Sequence, residues 1–216
     1  MSDALAEAHV RALAERVARV RETRGADARV LVAIAGAPGS GKSTLAAVLA
    51  GRLDASVVVP MDGFHLDDAL LGPAGLLPVK GAPHTFDVGG LDATLARVRR
   101  DAGPVYVPVF DRDVELSRAA AAVVEPDHRT VLVEGNYLLL DREPWSALRE
   151  HFDVSVLLDV PEPVLRERLV GRWLDQGLEP AAARARAESN DLPNGALVRE
   201  ASVAPDLRLA PAPSDV

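Results

Sequence analysis

The hydrophobic positions along the chain change period from one segment to the next. Residues 3–24 set Leu5, Ala8, Leu13, Val17 and Val20 near one helical stripe, with Arg and Glu elsewhere. That pattern predicts an amphipathic helix, stopped by Gly25. The run VLVAIAG at 30–36 is apolar throughout and rich in β-branched residues, as suits a strand buried on both faces of a parallel sheet. Helical spacing returns over 42–53, with Leu45, Val48, Leu49 and Leu53 facing inward. SVVVPMD at 56–62 predicts a second strand. From 63 to 90 no period survives, and Gly, Pro, His and Asp dominate. A loop of that length in a compact domain is usually functional or disordered.

Beyond it the pattern predicts a helix at 91–101, a strand at 105–110 and a short helix at 115–122. A strand at 130–140, a helix at 144–152 and a strand at 154–160 follow. A charged helix at 161–177 precedes an Ala- and Arg-rich helix at 179–188, and DLRL at 206–209 reads as a last strand. The tail PAPSDV reads as loose. Strands alternating with helices indicate an α/β fold in three layers, a mostly parallel central sheet flanked by helices. With no internal repeat, linker or composition break, residues 1–216 are expected to form a single domain.

Composition narrows the function. Apolar residues are 48% of the 216, enough for one sizeable core. Lys and Arg number 24 against 32 Asp and Glu, a net charge of −8. This leaves no excess positive charge for general nucleic-acid binding. There is no cysteine, which excludes disulfides, thiolate catalysis and Cys-ligated zinc. No apolar run is long enough for a membrane span, and the charged N-terminal segment lacks a signal-peptide core. The expectation is a soluble cytoplasmic protein. The basic residues are 22 Arg and two Lys, Lys42 and Lys80. A chain that almost always writes Arg draws the eye to both.

Residues 36–43, GAPGSGKS, match G-x-x-x-x-G-K-[ST], with a buried strand entering and a helix leaving. Gly36, Gly39 and Gly41 let the backbone turn tightly and point N–H groups inward. The remaining positions Ala37, Pro38, Ser40 and Thr44 complete a nucleotide-binding loop whose helix N-terminus adds partial positive charge. Lys42 is placed to reach the β- and γ-phosphates, and the Ser43 hydroxyl to ligate Mg²⁺. A nucleoside triphosphate and Mg²⁺ are therefore expected at this loop. A guanine-specific GTPase would need Asn-Lys-x-Asp, and neither lysine follows Asn. Transport or DNA-motor ATPases usually end an apolar strand in Asp-Glu, whereas this strand ends in Glu134-Gly135. A small-molecule kinase remains, with an acceptor-free regulatory ATPase as its rival.

A kinase needs a base, an acidic group near the metal, and arginines over the transferring phosphoryl. Asp62 follows its strand directly and is the candidate base, ahead of Asp67 and Asp68. Glu134 ends a strand in the same way and is the candidate to hold the metal's water shell or to orient Asp62. Arg166, Arg168 and Arg172 lie on the helix at 161–177, and Arg168 and Arg172 share a face suited to a lid over ATP. His65 and His84 fall in the long loop near the same cleft, as candidates to bind acceptor hydroxyl or phosphate groups. His9, His128 and His151 read as surface or packing residues without metal-ligand spacing.

The set GAPGSGKST, MDGFHLDD, KGAPHTFD, PVFD and VLVEGNYLLL resembles the uridine kinase, phosphoribulokinase and type I pantothenate kinase superfamily. Within it the chain looks most like bacterial kinases labelled fructose-transport-system kinases or fructokinases, over roughly residues 28 to 210. The resemblance implies Mg-ATP-dependent phosphorylation of a hydroxyl on a sugar, nucleoside or pantothenate-like metabolite. It implies Asp62 as base, Lys42 and Ser43 on phosphates and metal, and Arg168 or Arg172 on ATP. KGAPHTFD is similar to a pantothenate kinase segment, which places Lys80, Phe86 and Asp87 beside the acceptor. Arg112, Glu134 and Tyr137 join this acceptor-side group. PVFDRDVELSR departs from the uridine kinase pattern, with Phe110 for Tyr and Arg118 one residue late. Asn190 and Asn194, in SNDLPN, read as turn formers or as contacts to adenine or acceptor. A homodimer is compatible with the pattern, though no heptad specifies one.

Overall fold

The computed structural model describes residues 3–25 and 28–210, with side chains from residue 7 onwards. The tail expected to be loose lies outside the described residues. Helix α1 (Asp3–Arg24) leads into strand β1 (Val30–Gly36), helix α2 (Lys42–Ala50) and strand β2 (Ser56–Pro60). The stretch expected as a loop is built of short turns: a 3₁₀ turn at Met61–Phe64, the single turn α3 (Asp68–Leu71), and 3₁₀ turns at Leu77–Val79 and Pro83–Thr85. Helix α4 (Val88–Arg100) begins earlier than expected, because the Asp87 side chain accepts from the Gly90 N–H and caps it. Strands β3 (Val105–Asp111), β4 (Leu116–Val124) and β5 (Thr130–Gly135) follow. A 3₁₀ helix at Trp145–His151, within the stretch where a helix was expected, precedes β6 (Val154–Leu158). Then come α5 (Glu162–Asp175), α6 (Pro180–Arg186), a π-helical turn at Ala187–Asp191, α7 (Leu192–Ala201) and β7 (Leu207–Leu209).

The central sheet has the order β2-β5-β1-β6-β7. All four neighbouring pairs are parallel. Strand β1 is buried along its whole length, and its side chains alternate between two cores. Val30, Val32 and Ile34 pack with Val10, Leu13 and Val17 of α1 and with Leu45 and Leu49 of α2. Leu31, Ala33 and Ala35 pack on the other face with Leu91, Leu95 and Val98 of α4 and with Trp145 and Leu148. The result is a three-layer α/β fold. Each fully buried leucine contributes about 1.5–3 kcal/mol of transfer free energy. No helix among the described residues is long and apolar enough to cross a membrane.

Strands β3 and β4 stand apart as an antiparallel hairpin. This corrects the helix expected at 115–122. Ala119 to Ala122 favour a helix intrinsically, but β3 offers a ladder running from Val105↔Val124 to Asp111↔Leu116. Pairing along that edge overrides a weak local preference. Ala120 takes φ 53°, close to the register shift between Val107 and Val109.

Two further differences matter for the site. The strand expected to reach residue 140 stops at Gly135, where the chain passes so close to Met61 that a β-carbon would lie 2.4 Å from its Cβ. Leu138 to Leu140 are buried all the same. The turns expected around Asn190 and Asn194 are helical instead, Asn190 in the π-helical turn and Asn194 in α7.

Candidate active site

Register places the functional turns side by side. Glu134 is the partner of Ile34 in β1 and of Pro60 in β2. The chain therefore leaves β1 into the glycine loop, β2 into Asp62, and β5 into Gly135 at one end of the sheet. These are the carboxyl ends of the strands, where open parallel sheets bind ligands.

In the glycine loop, Gly39 has φ 77° and Gly41 φ 90°, conformations that cost an L-residue energy. Gly41 is the N-cap of α2, so Lys42 opens the helix and its free N–H groups face the loop. Beside the loop lies a cavity of about 350 Å³, whose lining includes Lys42, Ser43, Asp62, His65, Lys80 and Arg112. The strongest sequence candidates are thus brought to one space.

Glu134 does not line the cavity, but lies near enough to Lys42, Ser43, Asp62 and Arg112 for each to act on its carboxyl. It is 6% exposed, and its Oε2 has no hydrogen-bond partner among the described residues. Burial pushes its carboxyl above the ordinary value, and the Asp62 charge adds to this, while Lys42, the Ser43 hydroxyl and Arg112 pull it down. A buried carboxylate oxygen without a partner, next to a serine hydroxyl, is an oxygen donor set that suits a hard cation.

Asp62 sits in the 3₁₀ turn after β2, and its Oδ2 accepts from Arg112 at 2.7 Å. Gly63 makes this turn possible, since a β-carbon there would lie 2.3 Å from the Pro108 carbonyl oxygen of β3. His65 Nδ1 is 2.8 Å from the Asp62 carbonyl. A carbonyl only accepts, so the neutral ring carries its proton on Nδ1 and keeps Nε2 as an acceptor. Burial lowers the His65 value below 6.5, with the Asp62 charge opposing. The ring packs between Phe86 and Phe110, at centroid distances of 4.1 and 4.8 Å.

The loop that carries Lys80 and Gly81 is pinned through its backbone. Tyr137 is fully buried and donates to the Gly81 carbonyl at 2.7 Å. Burial raises its phenol well above 10, so it stays protonated. Asn190 Nδ2 donates to the Lys80 carbonyl at 2.9 Å, and Asn194 Nδ2 to Asn190 Oδ1 at 3.1 Å. Arg186 reaches the Pro78 carbonyl at 2.8 Å. Lys80 itself is held by Asp68 Oδ1 at 2.7 Å and the Glu115 carbonyl at 2.8 Å.

The arginines of α5 separate. Arg168 bonds the Gly39 carbonyl at 3.3 Å and lines a second, mostly apolar cavity of about 450 Å³. Thr44, Leu45, Val160, Leu209 and Val10 of α1 share that lining. Arg172 lines the first cavity, 3.2 Å from Asp191 Oδ1. Arg166 pairs with Glu162 and Glu188, both at 2.7 Å, and lines neither cavity. His84 and Asp87 are exposed and do not line the cavity either, and Asp87 serves as the α4 cap.

Sequence reasoning missed Asn136, a buried residue whose Oδ1 has no partner among the described residues and which lines the first cavity. Its place straight after Glu134-Gly135 was the available signal. It also missed the pair Trp173 and Asp191, joined at 2.7 Å. One of only two tryptophans, set next to Arg172, was the clue there.

No protein-family model matches the chain. A Schizosaccharomyces pombe protein named "putative uridine kinase" is 37% identical over 195 residues, covering 84% of this chain and 83% of its own length. A pantothenate kinase of Rhodopseudomonas palustris is 33% identical over 159 residues. That match takes in 67% of this chain and 49% of the relative, so the chain spans about half of it. The crystal structure of a "putative fructose transport system kinase" from Silicibacter sp. TM1040 superposes with a TM-score of 0.88 at 47% identity, covering 92% of this chain and 98% of that one.

Proposed function

The chain belongs to the P-loop kinases of the uridine kinase and pantothenate kinase type, and on that premise we propose that it transfers the ATP γ-phosphoryl from its glycine loop to a small metabolite's hydroxyl held at Asp62. The observation that carries this reading is the shared cavity. Lys42 and Ser43 of the phosphate loop and the strand-end carboxylate Asp62 line one space. An ATPase without an acceptor has no need of a second carboxylate and a neutral imidazole across from its phosphates.

In this reading the loop N–H groups and Lys42 hold the phosphates. Arg168, at the second cavity, meets the nucleoside end of ATP, and Arg172 meets the phosphoryl side. Ser43 and Glu134 are the residues that would hold Mg²⁺, which when bound supplies charge neutralisation along the phosphates. Asp62 accepts the proton of the attacking hydroxyl, and His65 Nε2 is available to receive a second hydroxyl of the acceptor. Lys80, Phe86 and Tyr137 shape the acceptor side, Tyr137 by fixing Gly81. Catalysis comes from positioning and charge stabilisation more than from covalent chemistry. We read residues 1–216 as one such domain, acting in the cytoplasm without nucleic acid or membrane.

An ATP-consumption screen across sugars, polyols, nucleosides and vitamins tests the reading. Acceptor-dependent turnover with one chemical class is expected. A flat response to every acceptor, with Mg-ATP bound, would instead favour a regulatory ATPase.

A further inference from the structure

Five cationic side chains line the first cavity, Lys42, Lys80, Arg112, Arg172 and Arg186, against the carboxylates of Asp62, Glu115 and Asp191. In a chain of net charge −8 this excess is local. Their partners differ. Lys80 is only 12% exposed and lies between Asp68 at 2.7 Å and Glu115 at 3.8 Å. Arg172 has Asp191 at 3.2 Å, Arg186 reaches the Pro78 carbonyl at 2.8 Å and lies over the Trp173 ring, and Lys42 belongs to the phosphate loop. Arg112 is different: its side chain is 63% exposed, and its one carboxylate among the described residues is Asp62, reached at 2.7 Å.

Only one guanidinium nitrogen makes that contact. An exposed pair of this kind gains little in water. It also leaves unused the planar fork that binds a carboxylate or phosphate through two parallel bonds. Meanwhile it occupies Oδ2 of Asp62, an oxygen wanted for the acceptor's proton. The backbone beneath is held by the hairpin ladder, which pairs Phe110 with Ser117 and Asp111 with Leu116. The Arg112 side chain can therefore swing without the hairpin moving.

We propose that the metabolite phosphorylated here carries an anionic group close to its reacting hydroxyl, and that Arg112 leaves Asp62 to bind that anion. The acceptor itself frees the base. The hydroxyl oxygen then bonds to the γ-phosphorus, and the bond from that phosphorus to the bridging oxygen breaks. ADP leaves with the electron pair, and the hydroxyl proton passes to Asp62. Arg112 is anchored in the hairpin turn beside Asp62, so the anion it binds lies near the reacting hydroxyl, as in a compact hydroxy acid or a phosphorylated alcohol. The inference rests on the kinase reading above and adds the charge of the acceptor to it.

The test pairs each anionic acceptor with an uncharged counterpart: glycerate with glycerol, gluconate with glucose, and glycerol phosphate with glycerol. ATP consumption is expected to favour one anionic member by about tenfold or more in kcat/KM, its carboxylate or phosphate arm naming the anion. Arg112→Gln should raise KM for that acceptor by about tenfold while KM for ATP stays unchanged, and Arg112→Lys should recover part of the loss. Preference for an uncharged member, or an unchanged KM for the anionic acceptor in Arg112→Gln, overturns the inference and leaves the kinase reading standing. No turnover with any acceptor counts against both.

Discussion

Replacing Gly63 by Ala puts a methyl group where the backbone of β3 already lies. The added carbon would meet the Pro108 oxygen at 2.3 Å, its carbonyl carbon at 2.7 Å and the Val109 nitrogen at 3.2 Å. All three are backbone atoms, so no side chain can rotate away. Reaching even 3.0 Å from the oxygen requires a shift of about 0.7 Å, and the hairpin must move as a unit. Overpacking of this kind costs about 1–3 kcal/mol. At about 2–4 °C per kcal/mol for a chain of this size, Tm should fall by roughly 2–12 °C. The hairpin also carries Phe110, which packs on His65, and Arg112, which meets Asp62. A displacement near 1 Å in such a wall lowers kcat/KM by about tenfold or more. Gly171→Ala is the control. That glycine lies within α5 with nothing inside 4 Å of the added carbon, so a gain of about 0.5–1 kcal/mol should raise Tm by roughly 1–4 °C. Thermal unfolding and steady-state kinetics read both variants. Wild-type Tm and kcat/KM in Gly63→Ala would refute the packing of β3 on the Asp62 turn.

Two further predictions concern the phosphate side. Glu134 is held above its ordinary value of 4.5 by burial, so the folded state binds its proton more tightly than the unfolded state does. Stability from this group is then lost as pH rises from about 4.5 through the folded value. Glu134→Gln should accordingly raise the Tm of nucleotide-free protein at pH 8, with the gain vanishing below pH 4.5, while phosphorylation slows; equal Tm at pH 8 would contradict the burial argument. Lys42→Ala should weaken Mg-ATP binding by about 10- to 100-fold in calorimetry, the worth of a charged hydrogen bond, and wild-type affinity would count against the phosphate cradle.

Much of this architecture can be read from the chain because its signals are local. The run at 30–36 is a strand buried on both faces, and a strand of that kind has no polar positions to blur its pattern. The placing of Asp62 just past β2 and of Glu134 near the end of β5 was legible, because each follows an apolar run. The hairpin strand β4 was not, since Ala119 to Ala122 favour a helix and only the distant partner β3 decides otherwise. Helix α7 was hidden because Asn190 and Asn194 look like turn residues, yet their amides are spent on the Lys80 carbonyl and on each other. The Arg112 contact to Asp62 spans fifty positions of sequence, and no periodicity encodes it. Lys80 was picked out by its rarity and by the resemblance of KGAPHTFD. Its role as a pinned residue between Asp68 and Glu115 needed the fold.

The central claim is that Asp62 takes a proton from an acceptor hydroxyl in the cavity it shares with Lys42. The direct measurement is the rate of acceptor phosphorylation by Asp62→Asn, with Mg-ATP affinity measured alongside. Asn keeps the shape but cannot take the proton, so the account predicts a fall of about 10²- to 10⁴-fold with ATP affinity retained. A rate near wild type, with ATP bound normally, would contradict it.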